Sequence, residues 1–129
     1  MTDSELVRRF YAAWSERDLD GMLEVVDPDV EVEPILGVLY SRESYRGHED
    51  LAGWFREVSA RWERFEAHVE KTRRRRDGVT LAFVRLIGHR GEETFEARIA
   101  VECCVRDGRI ASFRGRDVWE AQEELDINL

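Results

Sequence analysis

The chain is poor in cysteine, and its only two are the neighbours Cys103 and Cys104. A strand points adjacent side chains to opposite faces, so the two cannot form an ordinary disulfide staple, which fits a reducing compartment. No apolar run approaches the ~20 residues that a membrane span requires. The opening Thr2-Asp3-Ser4-Glu5 has neither the basic nor the apolar part of a signal segment. A cytoplasmic location away from membranes is therefore expected. None of the histidines has metal-ligand spacing with Cys, Asp or Glu, so no metal or cofactor is expected. A nucleophile elbow, a glycine-rich phosphate loop, internal repeats and low-complexity segments are all missing as well.

Positive charge is also in deficit, with 20 Lys and Arg against 28 Asp and Glu, a net charge of −8. That balance argues against nucleic acid as the main partner, because phosphate binding rests on basic surface. The local exception is Arg73-Arg74-Arg75-Arg76. It reads either as an anion patch or as a solvated strand end balanced by Glu66 and Glu70. The lack of interleaved aromatic residues favours the second.

What remains is a globular sequence of 129 residues, 43% hydrophobic and 37% charged. It is expected to form a single domain over 1–129 that buries roughly two-thirds of its unfolded surface. Three strand-like runs, 79–89, 93–106 and 109–119, are joined by turns centred on Arg90-Gly91 and Asp107-Gly108. Asp-Gly between alternating apolar runs is a strong hairpin signal. Upstream, Thr2 and Glu5 have capping-box spacing ahead of a helical stripe of Leu6, Val7, Phe10, Tyr11 and Trp14 that should stop near Arg17. Asp18 caps a second short helix carrying Leu19, Met22, Leu23 and Val26, with Pro28 ending it.

Val30-Glu31-Val32-Glu33 alternates as a strand, valines inward, and Pro34 makes it an edge strand or its end. Residues 35–46 read as a loop carrying Leu36, Leu39, Tyr40 and Tyr45. The stripe Leu51, Trp54, Phe55, Val58, Trp62 and Phe65 marks a third helix over about 48–64. A further strand runs to Arg76, and Asp77-Gly78 makes the next turn. Helices followed by a run of strands predict an α+β fold, with a curved antiparallel sheet wrapped around N-terminal helices as a cone-shaped barrel. A cone of this kind has an apolar hollow suited to a small hydrophobic ligand.

Three segments, 6–14, 18–21 and 29–32, together with Tyr45-Arg46-Gly47-His48-Glu49 and Arg106-Asp107-Gly108-Arg109-Ile110, resemble the nuclear transport factor 2-like superfamily of the cystatin-like fold. The likeness is strongest to its SnoaL-like, polyketide-cyclase-like branch. The resemblance implies the fold and a pocket, and it leaves the activity open among isomerases, cyclases, hydrolases, dehydratases and silent binding modules. Ketosteroid isomerase chemistry is excluded, because its tyrosine would fall on Phe10, its base on Pro34 and its protonated aspartate near Ala100. Limonene-epoxide hydrolase chemistry fails likewise, its aspartates landing on Arg85 and Gly115. The polyketide cyclases place an acid/base aspartate on the last strand, in the neighbourhood of Asp117.

Strand parity puts Asp117 with Phe113 on an inner face. Arg85 stands among hydrophobes in a strand apolar on both faces, and a buried charge requires a carboxylate partner, either Asp117 or Glu102. That pair has two readings: acid/base or ligand anchor at a pocket floor, or a buried ion pair or interface arginine without chemistry. His48 is either an acid/base or a hydrogen-bonding group at the helix start. Phe10, Trp14, Tyr40, Trp54, Phe83 and Phe113 are the remaining candidates for contact with a substrate, alongside His48 and Glu102.

Two functions stay open. One is a cofactor-independent lyase, isomerase or cyclase acting on a ring-containing substrate with Asp117 and Arg85. The other is a non-catalytic ligand-binding or dimerisation module. Apolar area on the uncovered sheet face further suggests a homodimer built sheet to sheet.

Overall fold

The computed structural model describes residues 1–34 and 44–118. Its elements in chain order are α1 (Asp3–Ser15), α2 (Leu19–Glu24), β1 (Val26–Glu33), β2 (Tyr45–Arg46), α3 (Gly47–Arg61), β3 (Arg64–Arg74), β4 (Thr80–Arg90), β5 (Glu93–Arg106) and β6 (Arg109–Arg116). The strands form a six-stranded sheet in the order β2-β1-β6-β5-β4-β3. The expected α+β architecture, with helices on one face of a curved sheet, is what the chain adopts.

Local chemistry sets the boundaries. Thr2 and Glu5 close a reciprocal capping box at the start of α1, and Asp18 accepts a hydrogen bond from the Gly21 N–H at the start of α2. Arg17 takes a left-handed φ of 58° where α1 ends. Asp107 and Gly108 both have positive φ, 53° and 74°, between the paired Arg106 and Arg109. That is the sign pattern of a type I′ hairpin. The other tight hairpin is displaced by one residue from its expected centre: Arg90 pairs with Glu93, so Gly91 and Glu92 form the loop. Pro28 does not end α2. It lies inside β1, where pairing with β6 is shifted between Val26 and Glu31. A proline has no N–H to give to a ladder, so the irregularity falls where the ladder cannot run.

The β3–β6 run is an antiparallel meander, and β1 joins it by pairing parallel to β6. The inner face carries Phe65, Ala67, Ala82, Val84, Leu86, Val101, Cys103 and Phe113, packed against Leu6, Val7, Phe10, Tyr11 and Trp14 of α1 and Leu51, Phe55 and Val58 of α3. The free edge of β3 is occupied by α1. Ser15 Oγ accepts from the Ala67 N–H at 2.9 Å and donates to the Ala67 carbonyl at 3.1 Å, while Arg8 donates to the Val69 carbonyl. Backbone groups that would template another strand are thereby used inside the fold.

On the outer face Leu81, Phe83 and Ala100 are at most 1% exposed, and Val118 packs against them. Around them stand ion pairs, Arg85–Glu96, Arg98–Glu70, Arg64–Glu66 and Arg114–Glu33. Among the described residues Met1 is the exposed large hydrophobic. The open apolar area from which sheet-to-sheet pairing was expected is therefore already covered.

Trp62, just past α3, lies against Phe95 with ring centroids 5.6 Å apart, and the Arg90 guanidinium sits 5.4 Å from its ring centre. A Cβ added at Gly88 would stand 2.8 Å from the indole. The strand needs glycine there because the ring, held on its other side, has no room to retreat. Gly88→Ala is expected to lower stability by about 1–3 kcal/mol in urea titration, and an unchanged midpoint would show that Trp62 yields.

Candidate functional site

A hollow opens between α1, α3 and the inner face of the sheet. It is lined by Phe10, Tyr11 and Trp14 from α1, Trp54 from α3, Phe65 and Ala67 from β3, Leu86 from β4, Ile99 and Val101 from β5, Phe113 and Gly115 from β6, and Val32, Glu33 and Pro34 at the end of β1. Its enclosed space is about 60 Å³. Phe10, Tyr11, Trp14, Phe65, Leu86 and Phe113 are buried, whereas Glu33, Pro34 and Trp54 are partly or fully exposed, so the latter three mark the mouth.

The walls are built by helical and strand periodicity together. Phe10 and Trp14 are four residues apart and share a helix face. Phe10 meets Phe113 at 4.5 Å between centroids, and Trp14 meets Trp54 edge to face at 4.9 Å. Tyr45 stacks on Trp54 at 5.5 Å and fixes the plane of that indole. Tyr11 contributes the polar group of the interior. Its hydroxyl has no hydrogen-bond partner among the described residues. Burial, reinforced by the nearby Cys103 thiol, pushes its pKa well above the usual phenol value, so it enters any interaction as a neutral donor. Burial likewise pushes the Cys103 thiol up, making it inert.

Four of the expected residues come together here: Phe10, Trp14, Trp54 and Phe113. Five others do not: Phe83, Arg85, Glu102, Asp117 and His48. Ala82, Val84 and Leu86 are the β4 residues that meet the helices, which sends Phe83 and Arg85 to the outer face. Arg85 does have a carboxylate partner, but it is Glu96 on β5, with Nε 2.7 Å from Oε1, and the side chain is 39% exposed. Glu102, also outside, is held by Arg75 at 2.6 Å and by Arg116. Asp117 follows the last residue of β6, is exposed, and does not line the hollow. The strand alternation that assigned it to the inner face has stopped at Arg116. The Asp117–Arg85 and Glu102–Arg85 pairs are thus not formed at a pocket floor.

His48 donates from Nε2 to the Val26 carbonyl at 3.1 Å, bracing the start of α3 against β1, and it does not line the hollow. Tyr40 lies outside the described residues. Those missed in the sequence are Tyr11, Val32, Glu33, Pro34, Phe65, Ala67, Leu86, Ile99, Val101 and Gly115. For Phe65, Ala67, Leu86, Ile99 and Val101, the inward half of each strand's alternation was the available signal. Among the described residues no group of three or more His, Cys, Asp or Glu is placed to hold a metal ion, and no helix is long and apolar enough to cross a membrane.

Outside the hollow, Arg75 and Arg116 converge on Glu102. Burial raises the Glu102 pKa, but the hydrogen bonds from Arg116 and Arg75 outweigh it and hold the carboxyl below its usual range. A depressed carboxylate contributes stability that is present above its unfolded pKa and lost as pH falls through the folded value. Glu102→Gln is therefore expected to cost about 1–3 kcal/mol at neutral pH. It should also flatten the loss of stability on acidification, as read from urea midpoints between neutral and acidic buffers. An equal acid slope in both proteins would remove the assignment.

Comparison with known proteins follows this geometry. The pattern of the SnoaL-like domain matches residues 7–113. No curated protein matches the chain. Among solved structures, the chain is similar to TerC co-crystallised with polyporic acid, at 19% identity, a TM-score of 0.76 and 95% coverage of each chain. It is similar to a protein from Sinorhizobium meliloti provisionally named a polyketide cyclase, at 19% identity and a TM-score of 0.70, covering 87% of this chain and 94% of that one. A third, of ketosteroid isomerase-like fold from Catenulispora acidiphila and solved with trimethylamine, has 18% identity and a TM-score of 0.74, with coverage of 98% and 96%. At these identities the structures speak for the fold alone, and the match over 7–113 places the chain in the SnoaL-like domain family of the nuclear transport factor 2-like superfamily.

Proposed function

We propose that this chain is a small-molecule pocket protein that holds a compact hydrophobic group between α1 and the inner face of the sheet. The observation that carries this is the chemistry of the walls. Aromatic and aliphatic side chains line the interior, the Tyr11 hydroxyl is its neutral donor, and Glu33, the one acidic residue that borders it, turns its carboxylate to Arg114 on the outer face. Neighbours of the same fold have been crystallised with polyporic acid and with trimethylamine, in keeping with small ligands. The enclosed space is well below the ~150 Å³ of an apolar cavity that takes benzene. A ring-containing substrate would therefore insert only a small substituent and leave its ring at the mouth.

Binding is the reading favoured over catalysis, because Asp117 and Arg85 lie away from the hollow. A cofactor-independent isomerase, cyclase or lyase is the second reading, with Tyr11, which lines the hollow, as proton donor. A proton-transfer enzyme also requires a base within hydrogen-bond reach of its substrate, and Glu33, the one acidic residue among those lining the hollow, turns its carboxylate to Arg114 on the outer face.

Homodimer formation joins the proposal in altered form. With the outer apolar trio covered, two copies would meet through alternating rows of arginine and glutamate. Light scattering would then show a dimer that dissociates as salt rises.

Ligand entry is read from tryptophan emission, because Trp14 and Trp54 are both in the walls. Titration with a graded series from isobutanol through phenol to naphthol should perturb emission most for the smallest members. Ala67→Leu, which fills the hollow, should weaken binding at least tenfold without lowering the unfolding midpoint. Asp117→Asn and Arg85→Met should leave it unchanged. No emission change with any member, or an equal response in the filled variant, would overturn the pocket reading.

A further inference from the structure

We propose that the hollow selects ligands headed by a small methylated ammonium group, an inference that rests on the pocket reading above. Six of the lining side chains are aromatic: Phe10, Tyr11, Trp14, Trp54, Phe65 and Phe113. Around Trp14 the rings of Phe10, Trp54 and Phe65 are inclined at 60°, 70° and 54°. Rings set at such angles enclose a space from several directions, as flat stacking does not. Each aromatic face carries negative quadrupole density, so a cation inside is attracted by several walls at once.

Size and hydration choose which cation. About 60 Å³ suits a cluster of methyl groups better than a ring or a long chain. A primary ammonium needs hydrogen-bond acceptors for its protons, and the interior supplies few. Methyl groups spread the charge over an apolar surface that sheds water at lower cost. The end of β1 borders the entrance, but the Glu33 carboxylate is turned to the outer face, where Arg114 Nε lies 3.6 Å from it. The net charge of −8 favours the approach of a cation. The ligand class is accordingly a tertiary or quaternary methylamine whose remaining part projects past Glu33 and Pro34.

Calorimetric titration of the whole chain separates the charge from the shape. The probes are choline, its carbon isostere in which a tert-butyl group replaces trimethylammonium, and ethanolamine. Choline is expected to bind about tenfold or more tightly than the isostere, and ethanolamine not measurably. Trp54→Leu should weaken choline more than the isostere. An isostere that binds as well as choline overturns the ammonium proposal and leaves the pocket reading intact. Choline that fails while the uncharged alcohols and phenols bind does the same. If neither choline, the isostere nor any of those uncharged probes binds, both readings fall.

Discussion

The packing of the aromatic stripe of α1 across the inner face of the sheet is the contact on which the rest depends. Leu6, Val7, Phe10, Tyr11 and Trp14 are each no more than 8% exposed, and together they reach β3, β4, β5 and β6. A curved sheet has too much concave area for one helix to fill when its residues include Ala67 and Gly115. The aromatic rings span the sheet but leave space where those small residues stand. The hollow is therefore a by-product of helix and sheet that fit at their rims and miss at their centre. Its polarity follows from the same cause, since every wall was selected to exclude water from a core.

That contact also decides which strand face meets the helices and lines the hollow. β4 has Ala82, Val84 and Leu86 on one side and Leu81 and Phe83 on the other, all nearly inaccessible. When both faces of a strand are apolar, alternation shows that two sets exist and not which set meets the helix. The boundaries that local chemistry sets, by contrast, were legible, because a capping box and an Asp-Gly turn act within a few residues. Thr2 with Glu5, Asp18, and Asp107-Gly108 each carry their own local chemistry. The aromatic contributors Phe10, Trp14 and Trp54 could be read for the same reason, through their helical spacing.

What could not be read depends on pairing between distant segments. The parallel contact of β1 with β6 brings Glu33 to the rim of the hollow, and nothing near residue 33 announces it. Arg85 was correctly expected to have an acidic partner, but Glu96 and Glu102 lie on the same face of β5. The registers of β4 with β5 and of β3 with β4 distribute them, Glu96 to Arg85 and Glu102 to Arg75. Asp117 shows a different limit. A two-residue repeat says nothing once the strand has ended, and β6 ends at Arg116.

Ser15 gives the fold a property unrelated to the hollow. A single hydroxyl satisfies both main-chain groups of Ala67 along the outermost strand, from a helix whose position is set by the core. Loosening α1 would thus do two things at once, emptying the hollow of its walls and uncovering a row of idle amides. In a crowded cell, that uncovered edge is a template on which a strand of another chain can pair. The same oxygen atom links how well the interior is filled to how safely the molecule can be kept at high concentration.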